Sequence, residues 1–214
     1  MQTKKRIILG SASPRRRELL EQIGISFEVR VSDKEEVYHS LIPEEIVKEL
    51  ALSKAENVAD DLREKQEQVK QISFDKKNNV LLDTIVIGAD TIVVSDGSIL
   101  GKPKDEADAV RMIRSLQGRS HKVYTGVAIF DYDDEGKRKS VVHAVETEVF
   151  VNPMSDEEIR EYAATGEPLD KAGAYGIQGQ FAAYIERIDG DYYNVVGLPV
   201  SYVYRQLKEI AEKD

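Results

Sequence analysis

The sequence contains no cysteine, and this absence removes several kinds of chemistry at once. Without thiols the chain can form neither disulfides nor thiolate nucleophiles, which fits a cytoplasmic location. Histidine is scarce as well: only His39, His121 and His143 occur, and no two of them stand at a metal-ligand spacing. A zinc site is therefore not expected.

Long apolar runs are also missing. None approaches the roughly 18–20 residues of a membrane span, and the first residues lack a signal-peptide pattern, so we expect no membrane partner. The net charge of −9 disfavours nucleic acid as a partner. The phosphate-binding patterns G-x-x-x-x-G-K-[ST] and G-x-G-x-x-G do not occur, and "GSASP" does not match the G-x-S-x-G elbow of serine hydrolases.

What is present is a succession of strand and helix patterns with several hairpins, which predicts an α/β fold on a mixed sheet. Strands are predicted at 6–10, 84–94, 121–133 and 140–151, with a hairpin pairing "TIVV" with "SIL". Helices are predicted after Ser13, from Pro43 to about Gln68, after Asp105, from Ser155 and from about Pro199. The stretch 181–196 is predicted to form another hairpin that turns at Asp189–Gly190.

The first helix begins with a run of arginines, "SPRRR". Ser13 is a good N-cap and Pro14 a good first residue, so Arg15, Arg16 and Arg17 lie in the first turn, where the helix dipole disfavours cations. An anion held there would meet unpaired N–H groups, hydroxyls and guanidinium groups, which favours a phosphate site. The alternative is a solvated basic face, with Arg17 paired to Glu21.

Two charged residues interrupt apolar patterns. Asp90 stands inside "VIGADTIVV", where burying a carboxylate is costly; it is either an aspartate that caps a turn or a carboxylate at a strand end that holds a metal or a water. Lys54 falls in the apolar arc of the long helix, where it either extends its amine to water or serves a site. Lys102, in "GKPK", is either an ordinary surface lysine or a further cation of one cleft with Arg15, Arg16 and Lys54.

These patterns together resemble one family. "SASPRRRELL", "GADTIV", "GKP", "DKAGAYGIQG" and "VVGLP" occur in the order found in Maf-type nucleoside triphosphate pyrophosphatases. The resemblance runs from about residue 6 to residue 205. It implies a single domain of 1–214 with two lobes, similar to the fold of inosine triphosphate pyrophosphatases, and an active-site cleft between the lobes. Residues 60–83 are longer than the family pattern and are predicted to be a helix and loop insertion.

The resemblance also implies roles for individual residues. Asp90 matches the catalytic aspartate, a proton acceptor; because an ordinary carboxylate is a weak base at neutral pH, metal ligation is an alternative role. Glu36 matches an acidic position that is a candidate metal ligand. The other matches divide into two groups. Substrate specificity is implied for Arg15, Thr91 and Gln178, and contact with the substrate or its phosphates for Ser13, Arg16, Lys54 and Lys102.

The implied reaction is hydrolysis of dTTP and UTP to the monophosphate and pyrophosphate, helped by Mg²⁺ or Mn²⁺. The resemblance implies a nucleoside triphosphate as the substrate, and it allows a homodimer. Alternatives are the same reaction on 7-methyl-GTP or an inosine-type purine nucleotide, a phosphatase that releases orthophosphate, and a non-catalytic nucleotide-binding regulator, since some members are linked to septum formation.

Overall fold

The computed structural model describes residues 4–31, 34, 36–72, 81–133 and 135–213, which fold around one seven-stranded sheet. The strands are β1 (Arg6–Gly10), β2 (Glu28–Val29), β3 (Thr84–Ser95), β4 (Ser98–Leu100), β5 (Ser120–Tyr132), β6 (Arg138–Val151) and β7 (Ile185–Asp189). The helices are α1 (Pro14–Gln22), α2 (Pro43–Ile72), α3 (Glu106–Leu116), α4 (Asp156–Ala164), α5 (Tyr192–Val196) and α6 (Val200–Ala211). Short 3₁₀ segments cover Glu167–Asp170, Ala172–Ala174 and Gln180–Tyr184.

The sheet combines parallel and antiparallel pairing. Its strand order is β2-β1-β3-β5-β6-β7, and β4 pairs with β3 outside this order. Strand β1 runs parallel to both β2 and β3, whereas the pairs β3–β4, β3–β5, β5–β6 and β6–β7 are antiparallel. The predicted mixed α/β fold is therefore confirmed.

The two faces of the sheet are covered differently. One face packs on α2 through two clusters of buried side chains, one around Val86 and Phe130 and the other around Ile92 and Tyr124. The opposite face carries the largest cluster, to which α1, α3, α4 and α6 all contribute. None of the helices in the described ranges is both long and apolar enough to cross a bilayer.

Glycines bring α2 unusually close to the sheet. A Cβ atom built on Gly88 of β3 would lie 2.7 Å from the backbone nitrogen of Ala55, and one on Gly126 of β5 would lie 3.0 Å from that of Lys48. Real Cβ atoms do not approach backbone this closely, so both positions require glycine. The backbone of α2 consequently lies directly on the strands, and Lys54 is carried to the edge of β3.

That edge of β3 is interrupted. Residues Thr84–Gly88 pair with β1, and Val93–Ser95 pair with β4, so residues 89–92 have no described strand beside them on this side. Successive side chains of a strand point to opposite faces. Asp90 accordingly faces α2, and Thr91 faces α1 and the larger core.

The structure corrects two expectations about local structure. Helix α2 continues to Ile72 rather than ending near Gln68. The hairpin predicted at Asp189–Gly190 is wrong: β7 pairs with β6, and the chain then enters α5. Of the predicted insertion, residues 73–80 lie outside the described residues.

Candidate active site

A cleft of about 730 Å³ opens over the interrupted edge of β3. One side, here called the helix wall, consists of residues 10–16 and 53–57, from the β1–α1 connection and α2. The other side, here called the turn wall, consists of lining residues between 167 and 179. The side chains predicted from the sequence all line this cleft: Ser13, Arg15, Arg16, Glu36, Lys54, Asp90, Thr91, Lys102 and Gln178. The predicted site residues thus share one cleft, whereas the division into two lobes stays a prediction.

Asp90 lies in the middle of β3. The sequence had indicated a strand end or a turn instead. Its Oδ1 atom is 2.5 Å from the Nζ atom of Lys54, whose ammonium also stands 2.9 Å from Oε1 of Glu36. The side chain of Asp90 is 13% exposed and that of Lys54 is 21% exposed, whereas Glu36 is exposed. Asp90 therefore does not cap a turn, and the amine of Lys54 binds carboxylates instead of extending freely to water.

Arg16 is the most enclosed cation of the cleft, with 7% of the residue exposed. Its guanidinium donates to the carbonyl oxygen of Gly197 at 2.8 Å, to Oγ of Ser11 at 2.9 Å and to Oγ1 of Thr91 at 3.0 Å. Burial lowers the pKa of Arg16, while the charge of Asp90 raises it. These three acceptors fix the orientation of the guanidinium. Because they are neutral, they do not cancel its positive charge, which is available to an anion.

The hydroxyl of Thr91 has a fixed orientation. The single hydroxyl proton of Thr125 goes to the carbonyl oxygen of Asn194 at 2.9 Å, so Thr125 can only accept from Thr91, whose Oγ1 lies 2.9 Å away. Thr91 thus accepts from Arg16 and donates to Thr125. Its proton is not free for a ligand. Thr91 instead helps to orient Arg16, and its side chain forms part of the cleft lining.

The remaining first-turn arginines differ from Arg16. Arg15 reaches across the cleft to Oδ2 of Asp170 on the turn wall, at 3.4 Å. Arg17 is exposed, and no described residue forms an ion pair with it, so the predicted pairing with Glu21 is not seen. Ser13 occupies the N-cap position, but its side chain makes no capping hydrogen bond. The first-turn N–H groups of α1 remain open to a ligand.

The family model for the Maf-like protein matches residues 6–210 of the chain. The chain belongs to this family. The resemblance to Maf-type proteins inferred from the motifs is therefore confirmed, and the match includes every element that lines the cleft of this Maf-like chain.

Curated relatives of similar length agree with that assignment. A protein from Agathobacter rectalis named dTTP/UTP pyrophosphatase is 46% identical over 204 residues, which cover 95% of this chain and 97% of the relative. One from Bacillus cereus with the same name is 48% identical over 208 residues, covering 96% of this chain and 90% of the relative. Among solved structures, a nucleoside-triphosphatase / dITP/XTP pyrophosphatase from Mycobacterium abscessus covers 67% of this chain and 74% of its own at 17% identity, with a TM-score of 0.31. That overlap is too slight to bear on fold or function.

Some lining residues of this Maf-like chain were missed from the sequence. Asn57 lies one helical turn after Lys54, so its spacing on α2 was a usable signal. Glu167, Asp170 and Lys171 lie in or just before a glycine-rich stretch, and this part of the chain forms 3₁₀ turns. Charged residues between glycines were the signal there.

The cleft is more basic than the chain as a whole. The described lining residues include six Lys or Arg and four Asp or Glu, whereas the whole chain carries a net charge of −9. Lys102, in the connection from β4 to α3, is exposed and forms no ion pair with a described residue. A polyanion would therefore find its countercharges concentrated in this one place.

A divalent cation has two carboxylate ligands available here. The described residues contain no cluster of three or more acidic or histidine side chains that could enclose a metal. Asp90 and Glu36, however, both reach the ammonium of Lys54 and so face the same point. One or two carboxylates completed by phosphate oxygens are a usual ligand set for Mg²⁺. The residues present thus fit a cation that enters with a phosphorylated substrate.

Proposed function

We propose that this Maf-like chain hydrolyses dTTP and UTP to the nucleoside monophosphate and pyrophosphate. The observation that carries the proposal is the ion pair of a carboxylate, Asp90, with Lys54 at the open edge of β3, in a cleft that Arg16 also lines. The names of the relatives and the family match support the substrate class.

The triphosphate would lie between the open start of α1 and Lys54. The first-turn N–H groups, the charge of Arg16 and the ammonium of Lys54 would all face phosphate oxygens, which suits a reaction that depends mostly on positioning and charge stabilisation. Water attacks the α-phosphorus, the bond to the bridging oxygen breaks, and pyrophosphate leaves. In this account Asp90 orients that water and accepts its proton.

Mg²⁺ or Mn²⁺, held by Asp90 and Glu36, would polarise the phosphate and acidify water when bound. The chain supplies the rest of the site. Lys54 balances the two carboxylates, which otherwise would repel the substrate. Arg15 stands at the mouth of the cleft, where its exposed partner Asp170 leaves it able to turn towards a phosphate.

Base selection is assigned to the turn wall. Gln178 is exposed at the cleft and carries both a donor and an acceptor, which matches the O4 and N3–H edge shared by uracil and thymine. In cytosine the 4-amino group donates and N3 accepts, so both of these hydrogen bonds would be reversed for an amide held in one orientation. The proposal therefore ties phosphate binding to the helix wall and base selection to the turn wall.

Product analysis tests the proposed function. The purified chain is incubated with dTTP, UTP, dCTP and 7-methyl-GTP, with and without Mg²⁺, and the products are separated by ion exchange. We expect dTMP and UMP with one pyrophosphate for each nucleotide consumed. Release of orthophosphate and a nucleoside diphosphate, or turnover of 7-methyl-GTP in preference to dTTP, would refute the proposal.

A further inference from the structure

The carboxylate of Glu167 lies behind the part of the turn wall that presents Gln178. The backbone nitrogen of Gly179 donates to the carbonyl oxygen of Gly176 at 3.1 Å, which closes a turn with Gln178 near its tip. The concave side of this turn is filled by Glu167: a Cβ atom on Gly179 would collide with its carboxylate. The turn is therefore wrapped around an acidic side chain.

That carboxylate is linked to both ends of the turn, directly after Gly179 and through the hydroxyl of Tyr162 at Gly176. Its Oε2 atom accepts from the backbone nitrogen of Gln180 at 3.0 Å, and its Oε1 atom accepts from the hydroxyl of Tyr162 at 3.0 Å. The same hydroxyl accepts from the backbone nitrogen of Gly176 at 3.4 Å. These bonds lie two residues before and two residues after Gln178.

The surroundings keep these roles fixed. Burial raises the pKa of Tyr162, and the hydrogen bond to Glu167 raises it further, so the hydroxyl stays protonated and remains a donor. Lys171 donates to the backbone carbonyl of Glu167 at 2.6 Å, and its side chain fills the space that a Cβ atom on Gly176 would need. Glu167 is thus restrained through both its backbone and its side chain.

We propose that Glu167 is a positioning residue that fixes the Gly176–Gly179 turn and so sets how well Gln178 distinguishes between bases; the assignment of Gln178 rests on the function proposed above. Glu167 itself does not have to touch the nucleotide. Its carboxylate supplies two acceptors, and an amide in its place supplies only one. Glu167→Gln would therefore leave either the Gln180 nitrogen or the Tyr162 hydroxyl facing a donor.

Binding without turnover tests the inference separately from the reaction. Dissociation constants are measured for α,β-methylene analogues of dTTP and dCTP with the wild-type chain, Glu167→Gln, Gln178→Ala and the double variant. We expect Glu167→Gln to reduce the preference for the dTTP analogue at least about fivefold, equivalent to roughly 1 kcal/mol. The double variant should show the preference of Gln178→Ala alone, because Glu167 acts through Gln178.

Controls separate positioning from general damage. Glu161→Gln makes the same chemical change at an exposed position of α4 beside Tyr162 and should leave the preference unchanged. If Glu167→Gln fails to fold in a thermal melt, Tyr162→Phe removes only one hydroxyl from the same arrangement and should lower the preference in the same direction. Additive losses in the double variant, an unchanged preference in Glu167→Gln, or no preference in the wild-type chain would each overturn the inference. Failure of the proposed function would instead appear as missing pyrophosphate in the product analysis.

Discussion

The two walls of the cleft are built on different principles. The helix wall takes its side chains from long regular elements, and the close packing of α2 on Gly88 and Gly126 holds Lys54 beside Asp90. The turn wall consists of 3₁₀ segments and a tight turn, which are held by hydrogen bonds to Glu167 and by the contact between His121 and Tyr175. Packing therefore fixes the groups assigned to chemistry, and polar contacts fix the groups assigned to recognition.

The largest effect should come from Asp90, which Lys54 of the helix wall contacts at the open edge of β3. In Asp90→Asn the water loses its acceptor, and turnover should fall by about 10²–10³-fold, the scale for losing a positioned base or a key electrostatic group. Because the ammonium of Lys54 keeps Glu36 as a partner, the melting temperature should change little. Pyrophosphate release and a thermal melt measure the two quantities.

The ion pair between Lys5 and Asp131 supplies a control for that prediction. It is enclosed to a similar degree, with side chains 13% and 16% exposed, and it does not line the cleft. Asp131→Asn should lower stability and leave turnover unchanged. If Asp90→Asn instead unfolds the chain while each folded molecule keeps its activity, Asp90 is structural, and Glu36 becomes the next candidate for the catalytic carboxylate.

The turn wall should be the more sensitive to acid. Burial lowers the pKa of His121 to about 4, whereas in the unfolded chain it is about 6.5. Since the unfolded chain binds the proton more readily, the stability from neutral His121 is complete above about pH 6.5 and is lost as the pH falls towards 4, by up to about 3 kcal/mol. Urea unfolding from pH 7 to pH 4 should show this slope. His121→Gln, which keeps a polar partner for Tyr175, should flatten it; the same slope in both chains would contradict the assignment.

A smaller effect should follow from breaking the relay that supports Arg16. Thr125→Val keeps the shape of a fully buried side chain but removes the acceptor for Thr91 and the donor to Asn194. We expect a loss of about 1–2 kcal/mol of unfolding free energy, or roughly 2–8 °C in melting temperature. The KM for dTTP should rise as Arg16 loses its fixed direction. An unchanged KM beside a lowered melting temperature would show that the relay is purely structural.

The smallest effect should come from the contact that joins the two walls. Arg15 and Asp170 form an ion pair with side chains 26% and 60% exposed, and such surface pairs contribute about 0–1 kcal/mol. Asp170→Asn should therefore leave the melting temperature nearly unchanged and alter KM by less than about threefold. Asp96→Asn, which breaks the exposed pair with Arg119, is the matched control. Asp170 also pairs with Lys171 at 2.6 Å, so a large loss of activity in Asp170→Asn alone would mean that the cleft depends on this carboxylate through Arg15 or Lys171.

Sequence patterns foretold the helix wall better than the turn wall. Lys54 interrupts the apolar arc of α2, and Asp90 interrupts the apolar run of β3. Because both patterns are regular, these interruptions could be recognised in the sequence. The turn wall consists of short 3₁₀ segments and turns, so it has no regular apolar pattern in which a functional residue would stand out. Its order depends on Glu167 accepting hydrogen bonds from residues 5 and 13 positions away, at Tyr162 and Gln180, and no local pattern marks such partners.

The same reasoning explains the wrong hairpin. "IERIDGDYY" has the aspartate–glycine pair and the alternation of a tight hairpin. Its first half, β7, finds β6 as a partner, and Asp191 caps α5 through the backbone nitrogen of Tyr193 at 2.8 Å. Pairing between distant strands outweighed the local turn signal, which is a tertiary effect that a single sequence does not reveal.

At the open edge of β3, an odd or an even change in chain length has different consequences, because successive side chains of a strand point to opposite faces. Asp90 and Thr91 are neighbours in sequence, yet their side chains lie on opposite faces of one strand, Asp90 beside Lys54 and Thr91 beside Arg16. Inserting or deleting one residue between Gly88 and Asp90 would exchange the two faces and send the carboxylate towards Arg16. An even-numbered change would restore the faces but shift the pair along the cleft by about 7 Å. A change of length in this short stretch would therefore separate Asp90 from Lys54.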